Sequence, residues 1–159
     1  LFLAAMAGAG TLAELRHSLL EAETELSGGA APRVDPFADV RDAGALLQRA
    51  GFALPVADIE SVTVRYATMF DLMQDLRAMG AASALIERSR RPATRRLFMR
   101  AAEIYQDRFS DPDGRIRASF DIIWMSGWAP HESQQKPLRP GSAQVSLKSV
   151  LSPGAEESG

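Results

Sequence analysis

The chain has 159 residues, of which 46% are hydrophobic and 24% charged, with 12 glycines and 9 prolines. That is the make-up of an ordinary globular domain; it excludes a disordered tail, a collagen-like fibre and a disulfide scaffold, and a chain of about 150 residues hides roughly 68–70% of its unfolded surface. Basic residues number 18 and acidic ones 20, for a formal net charge of −2, so no global field draws in nucleic acid.

Without cysteine there is no disulfide framework, no thiolate nucleophile and no cysteine-based zinc site. The chain opens on Leu1, inside the apolar run Leu1 to Ala7, which suggests a removed leader or a piece of a longer protein. The run is too short to span a bilayer, which takes about 20 residues. It also lacks the basic residues of a signal peptide. No transmembrane segment is expected.

In chain order, Leu1 to Ala7 reads as a strand stopped by Gly8-Ala9-Gly10 and, being apolar throughout, as covered on both faces in a parallel sheet. Thr11-Leu12-Ala13-Glu14 has the spacing of a capping box. It opens a helix whose stripe is Leu12, Leu15, Leu19, Ala22 and Leu26, ended by Gly28-Gly29. A second helix is predicted from Asp39, its cap, to Ala50, with Ala43, Leu46, Leu47 and Ala50 inward and Gly51 as the stop. Phe52 to Tyr66 is extended, with Asp58-Ile59-Glu60 expected to bend or interrupt it.

Residues 68–109 read as a helical insert: one helix capped by Thr68 and carrying Met69, Leu72, Met73, Leu76 and Met79, a short one around Ser83 to Ser89, and one after Pro92 with Leu97, Phe98, Ala101, Ile104, Tyr105 and Phe109 on one side. The methionines at helical spacing read as core before pocket lining. Asp111-Pro112-Asp113-Gly114 is a turn. Ile116 to Trp128 is a long strand, with Ile116, Ala118, Phe120, Ile122 and Trp124 on one face and Arg117, Ser119 and Asp121 on the other. The polar stretch 143–159 reads as a flexible tail.

Candidate chemistry is sparse. The arginines Arg88, Arg90, Arg91, Arg95, Arg96 and Arg100 form either an anion contact or a solvated basic face, and the near-neutral charge favours the second. Of the two histidines, His17 lies off the leucine stripe and reads as a surface residue. His131 sits in the polar loop Trp128 to Ser142, either a functional loop or a plain C-terminal wrap. No set of metal ligands can be assembled. Gly8-Ala9-Gly10 lacks the third glycine of a dinucleotide loop.

Four segments in order, Thr11 to Arg16, Asp39 to Phe52, Met69 to Gly80 and Trp128 to Ser142 with His131-Glu132-Ser133-Gln134 inside it, resemble the S-adenosylmethionine-dependent methyltransferase-fold proteins related to mitochondrial complex I assembly factor five. The resemblance covers residues 1–148. The malonyl-carrier-protein methyltransferases of biotin synthesis share the helix order but not the His131 to Gln134 motif.

The resemblance implies an α/β chain: the C-terminal half of a Rossmann-like class I methyltransferase fold, over 1–142. Leu1 to Ala7 would be its fifth strand, Phe52 to Tyr66 the sixth and Ile116 to Trp128 the antiparallel seventh. It implies S-adenosylmethionine as cofactor, with the cofactor residues in a preceding half. The substrate would be a protein, possibly a complex I subunit, and the setting the bacterial cytoplasm or the mitochondrial matrix. The expected reaction is methyl transfer; arginine hydroxylation on the same fold and a non-catalytic assembly role are the alternatives. The residues expected to meet substrate are Thr11, Glu14 and Arg16, after the first strand, and Trp128, His131, Glu132, Ser133 and Gln134. No catalytic residue is assigned, and this stretch alone is expected to be inactive.

Overall fold

A computed structural model describes residues 1–29, 33–81 and 93–134. Leu1–Ala129 form one compact unit, and the chain from Pro130 onward forms a second. The elements of the first are β1 (Phe2–Ala7), α1 (Ala13–Ser27), α2 (Val40–Arg49), β2 (Ala53–Tyr66), α3 (Met69–Ala78), α4 (Arg95–Phe109) and β3 (Ile116–Trp128). The expected helix around Ser83 to Ser89, the residues Arg88, Arg90 and Arg91 and the tail 143–159 lie outside the described residues.

The three strands form one sheet in the order β1-β3-β2, with β3 antiparallel to both neighbours. β1 and β2 therefore run the same way without touching. The period-two reading of β3 gives its bounds, Ile116 to Trp128. β1 is a strand, but it is not covered on both faces by parallel neighbours: its one described partner is antiparallel, and Leu3 is 70% exposed. Nor does Asp58-Ile59-Glu60 interrupt β2. Asp58 and Glu60 pair with Trp124 and Ile122, and Glu60 accepts from the Trp124 indole at 3.0 Å. The irregularity lies between Ala53 and Val56, where Leu54 takes a positive φ of 49°.

The buried side of β3 changes along its length. Ile116 and Ala118 join Leu15, Leu19, Leu72, Ile104 and Tyr105 in one core under α1, α3 and α4. Farther on Ile123 is buried on the opposite face, the side on which α2 lies: Gly44 of α2 faces Ala57, the second residue before Ile59, Ile123's cross-strand partner. Ala43 and Leu47 are the buried side of α2, while Leu46, read as inward, is 55% exposed. The caps at Asp39 and Thr68 form as read: Asp39 accepts from Arg41 N–H at 2.8 Å, and Thr68 and Asp71 make a reciprocal box. Gly51 and Gly114 take positive φ, as their turns require.

The capping box at Thr11 does not form. Leu12, in the left-handed region at φ 56°, is the N-cap of α1, and no side chain caps that helix. Both polar side chains of the motif turn to the edge of β3 instead. β1 ends opposite Ile122. Beyond it the Thr11 hydroxyl donates to Asp121 C=O at 3.0 Å and accepts from Asp121 N–H at 3.1 Å. Leu12 N–H reaches Ser119 C=O at 2.7 Å. The Glu14 carboxylate accepts from Ser119 N–H at 3.1 Å and from its hydroxyl at 2.5 Å. Farther along, the Tyr105 hydroxyl donates to Arg117 C=O at 2.8 Å. Burial, then the nearby Glu14 charge, raises the Tyr105 pKa, so the phenol stays a donor.

Two stability predictions follow from this edge. Thr11→Val, which keeps the shape and removes the hydroxyl, should cost about 1–3 kcal/mol in denaturant unfolding because it strands the Asp121 N–H, while Asp121 C=O keeps the Gly8 N–H at 2.7 Å; Thr11→Ser should recover most of it. Gly10→Ala would place its methyl 2.0 Å from Asp121 Oδ2, whose partner oxygen accepts from Ser61 at 2.6 Å. It should destabilise by about 1–2 kcal/mol, whereas Gly29→Ala, which meets nothing within 4 Å, should stay within about 0.5 kcal/mol of the parent.

Candidate functional site

Open α/β sheets hold ligands at the carboxyl ends of their strands. Here β2 ends beside the start of β3, while β1 stops opposite Ile122, and the stretch of β3 between is flanked by the start of α1 and the end of α4. A cleft of about 460 Å³ opens there, lined by Glu14, His17, Thr63, Phe109, Arg117 and Ser119. Thr63 and Ser119 are cross-strand partners, as are Arg65 and Arg117, so these side chains share the face of β3 that the larger core leaves open.

The cleft is rich in charge, and much of it is paired. His17 Nε2 lies 3.0 Å from Arg108 and 3.1 Å from Glu21, and the ring meets Phe109 edge-on at 5.7 Å. Arg65 is tied to Asp111 at 2.7 Å and to Asp113, whose carboxyl is held below its ordinary value by Arg115 N–H and then by Arg65. Arg100, at the far end of the basic patch, is tied across to Glu25 at 2.6 Å. That part of the patch braces α4 against α1, as a solvated face does.

The expected site residues do not converge. Thr11 is buried and consumed by Asp121. Arg16 folds back on its own turn, reaching Thr11 C=O at 3.3 Å and Ala9 C=O at 3.4 Å. Of the three, only Glu14 reaches the cleft. Trp128, expected to meet substrate as they do, pairs with Ala53 at the other end of the sheet. It stands seven residues along β3 from Asp121, roughly 24 Å at strand rise, and is 48% exposed. Motif order brought it into one set with Thr11, and strand length separates them.

In the second unit His131, Glu132, Ser133 and Gln134 form a closed turn. His131 N–H donates to Gln134 Oε1 at 3.0 Å, and Gln134 N–H returns to His131 C=O at 3.1 Å. His131 Nδ1 accepts from Ser133 N–H at 3.2 Å and lies 2.8 Å from the Ser133 hydroxyl. The neutral ring therefore carries its proton on Nε2, which takes no part in the turn. His131, Glu132 and Ser133 are exposed.

Sequence reasoning passed over His17, Thr63, Phe109, Arg117 and Ser119 as a group. The available signal was the polar face of β3, Arg117-Ser119-Asp121. Its partners come from three other elements and have no common spacing. Among the described residues no three His, Asp or Glu side chains come together as a metal site, and no helix is long and apolar enough to cross a membrane.

The turn at Gly8 to Gly10 leaves no room for a nucleoside cofactor. The space above Gly10 is filled by the Asp121 carboxylate, and that above Gly8 by the Ile123 side chain, 3.1 Å from where a Cβ would stand. These glycines let the chain leave β1 close against β3.

No family model matches the chain. Among curated proteins it is 44% identical over 150 residues to mitochondrial arginine-hydroxylase NDUFAF5 of Dictyostelium discoideum, covering 94% of this chain and 34% of that protein. To the Homo sapiens NDUFAF5 it is 42% identical over 146 residues, 92% of this chain and 42% of the relative. A malonyl-acyl-carrier-protein O-methyltransferase of Laribacter hongkongensis is 33% identical over 141 residues, 89% of this chain and 45% of the relative. The chain thus spans about a third to a half of the length of these relatives. Across nearly all of its own length it is a homologue of NDUFAF5 and of malonyl-acyl-carrier-protein O-methyltransferases, which is consistent with a methyltransferase-fold family.

Proposed function

We propose that this chain forms the C-terminal part of an S-adenosylmethionine-binding, methyltransferase-fold enzyme that modifies a protein substrate in connection with complex I assembly. The observation that carries the reading is 41–44% identity to NDUFAF5 proteins along most of the chain. The sheet order supports it: β1, β3 and β2 fit the fifth, seventh and sixth strands of the fold, with the seventh antiparallel. On this reading the open edge of β1 and the exposed Leu3, Val56 and Trp124 face the rest of the domain. On the same reading, S-adenosylmethionine binds the part of the parent protein that carries the first strands of the fold. The parent works in the bacterial cytoplasm or, in a eukaryote, in the mitochondrial matrix.

Two reactions fit the fold. Methyl transfer is the activity in the names of the relatives at 32–33% identity, and arginine hydroxylation that of the relatives at 41–44%. The higher identity favours hydroxylation. Glu14 is the part of the Thr11-Glu14-Arg16 set that meets a ligand, while Thr11 and Arg16 hold its turn in place. Trp128 and the turn of His131, Glu132, Ser133 and Gln134 contact the protein substrate, for which an exposed aromatic and an imidazole Nε2 proton are suited.

The test is made in the full-length parent. His131→Ala and Gln134→Ala should each lower modification of the protein substrate and complex I assembly. Mass spectrometry of the product reads a gain of one oxygen for hydroxylation and of one CH2 for methylation. Wild-type product and assembly in both variants would contradict the assignment of the turn, and an unmodified substrate with the wild-type parent would contradict the enzymatic reading.

A further inference from the structure

The cleft near the carboxyl end of β2 contains an imbalance that the enzymatic reading does not use. Arg65 and Arg117 stand directly opposite each other on β2 and β3, a like-charge pair that is destabilising unless neutralised. Arg65 takes most of the neutralisation, from Asp111 at 2.7 Å and from Asp113. Arg117 keeps a 3.5 Å contact from Nε to that same Asp111, and its terminal nitrogens have no hydrogen bond among the described residues. Thr63, diagonal to Arg117 on the same face, offers a hydroxyl with no partner among the described residues. Both line the cleft.

The facing wall has the opposite sign. Glu14 is held in the cleft by Ser119 N–H and Oγ, each of its oxygens keeping a lone pair for a second donor. Ser119 stands two residues from Arg117 on one face of β3, so the acid is anchored about 7 Å along the strand from the cation. A simple anion drawn to Arg117 would be repelled by Glu14, and a simple cation the reverse. A molecule carrying both charges a short distance apart satisfies both walls. Phe109 supplies an apolar side to the cleft.

We propose that this cleft binds a small dipolar ion of the amino-acid kind, its carboxylate on Arg117 and Thr63 and its ammonium group on Glu14. The site shares Glu14 with the enzymatic reading, but its determinants Arg117 and Thr63 lie outside that reading. Its test measures binding rather than turnover, so either can fail without the other.

The experiment follows backbone amide shifts of the 159-residue chain at Thr63, Glu14, Arg117 and Ser119 during titration with L-alanine, with acetate and with methylammonium. Alanine should give saturable shifts at these amides, whereas acetate and methylammonium should give weak, non-saturating ones. Arg117→Gln should weaken alanine binding roughly tenfold or more, the loss of a charge-assisted hydrogen bond. Thr63→Val, which keeps the strand residue's shape, should weaken it less. Acetate binding as well as alanine would overturn the proposal in favour of a plain anion patch. Absence of saturable shifts, or unchanged binding in both variants, would overturn it outright.

Discussion

Strand β3 is longer than its neighbour β1, and the structure depends on how the difference is covered. β1 pairs with β3 from Gly127 to Ile122 and then ends. Gly8 N–H still reaches Asp121 C=O at 2.7 Å, but the other backbone groups of β3 on that side, from Asp121 N–H to Arg117 C=O, would be bare, which a buried or half-buried edge cannot leave unpaired. The chain covers them with side chains. The Thr11 hydroxyl gives and takes one hydrogen bond with Asp121, as a residue of a neighbouring strand would, and Glu14 and Leu12 do the same for Ser119. Leu12 is bent into a left-handed conformation to deliver its N–H, a strain of order 1–2 kcal/mol. A network of bonds to a central strand offsets it.

This edge seal fixes the start of α1, and through it much else. With the first turn of α1 anchored to β3, the stripe Leu15, Leu19 and Ala22 falls over Ile116, Ala118 and the buried Tyr105. Glu21 and Glu25 then stand opposite Arg108 and Arg100 of α4. Those exposed ion pairs add little stability individually, but they select one register for the two helices. The same anchoring sets Glu14 into the cleft. The residue that seals the strand edge is therefore also the residue that gives the cleft its acidic wall.

Much of this fold was legible because its signals are local. The alternation from Ile116 to Trp128, the caps at Asp39 and Thr68 and the glycine stops all follow from spacing and backbone chemistry within one element. What was misread had a tertiary cause. The spacing Thr11-x-x-Glu14 is that of a capping box, but a strand edge brought close by folding outcompetes the helix's own N–H groups. The charged Asp58 and Glu60 looked like a break, yet cross-strand partners keep β2 continuous. The site was hardest to see. Thr11, Glu14 and Arg16 share a turn, but only one side chain reaches the cleft, and its companions His17, Thr63, Phe109 and Arg117 come from separate elements with no sequence pattern joining them. Trp128 stands with Thr11 in sequence order, and only the length of the strand shows that the two lie at different ends of β3.

The central claim is that two side chains from the α1 entry serve as the missing strand beside β3. Amide hydrogen exchange of the 159-residue chain tests it most directly. The Asp121 and Ser119 amides should exchange as slowly as the Ile123 amide, which lies within the β1–β3 ladder, and Thr11→Val should speed exchange at Asp121 while leaving Ile123 slow. Fast exchange at Asp121 and Ser119 in the parent chain, at the rate of a solvent-exposed edge, would contradict the account.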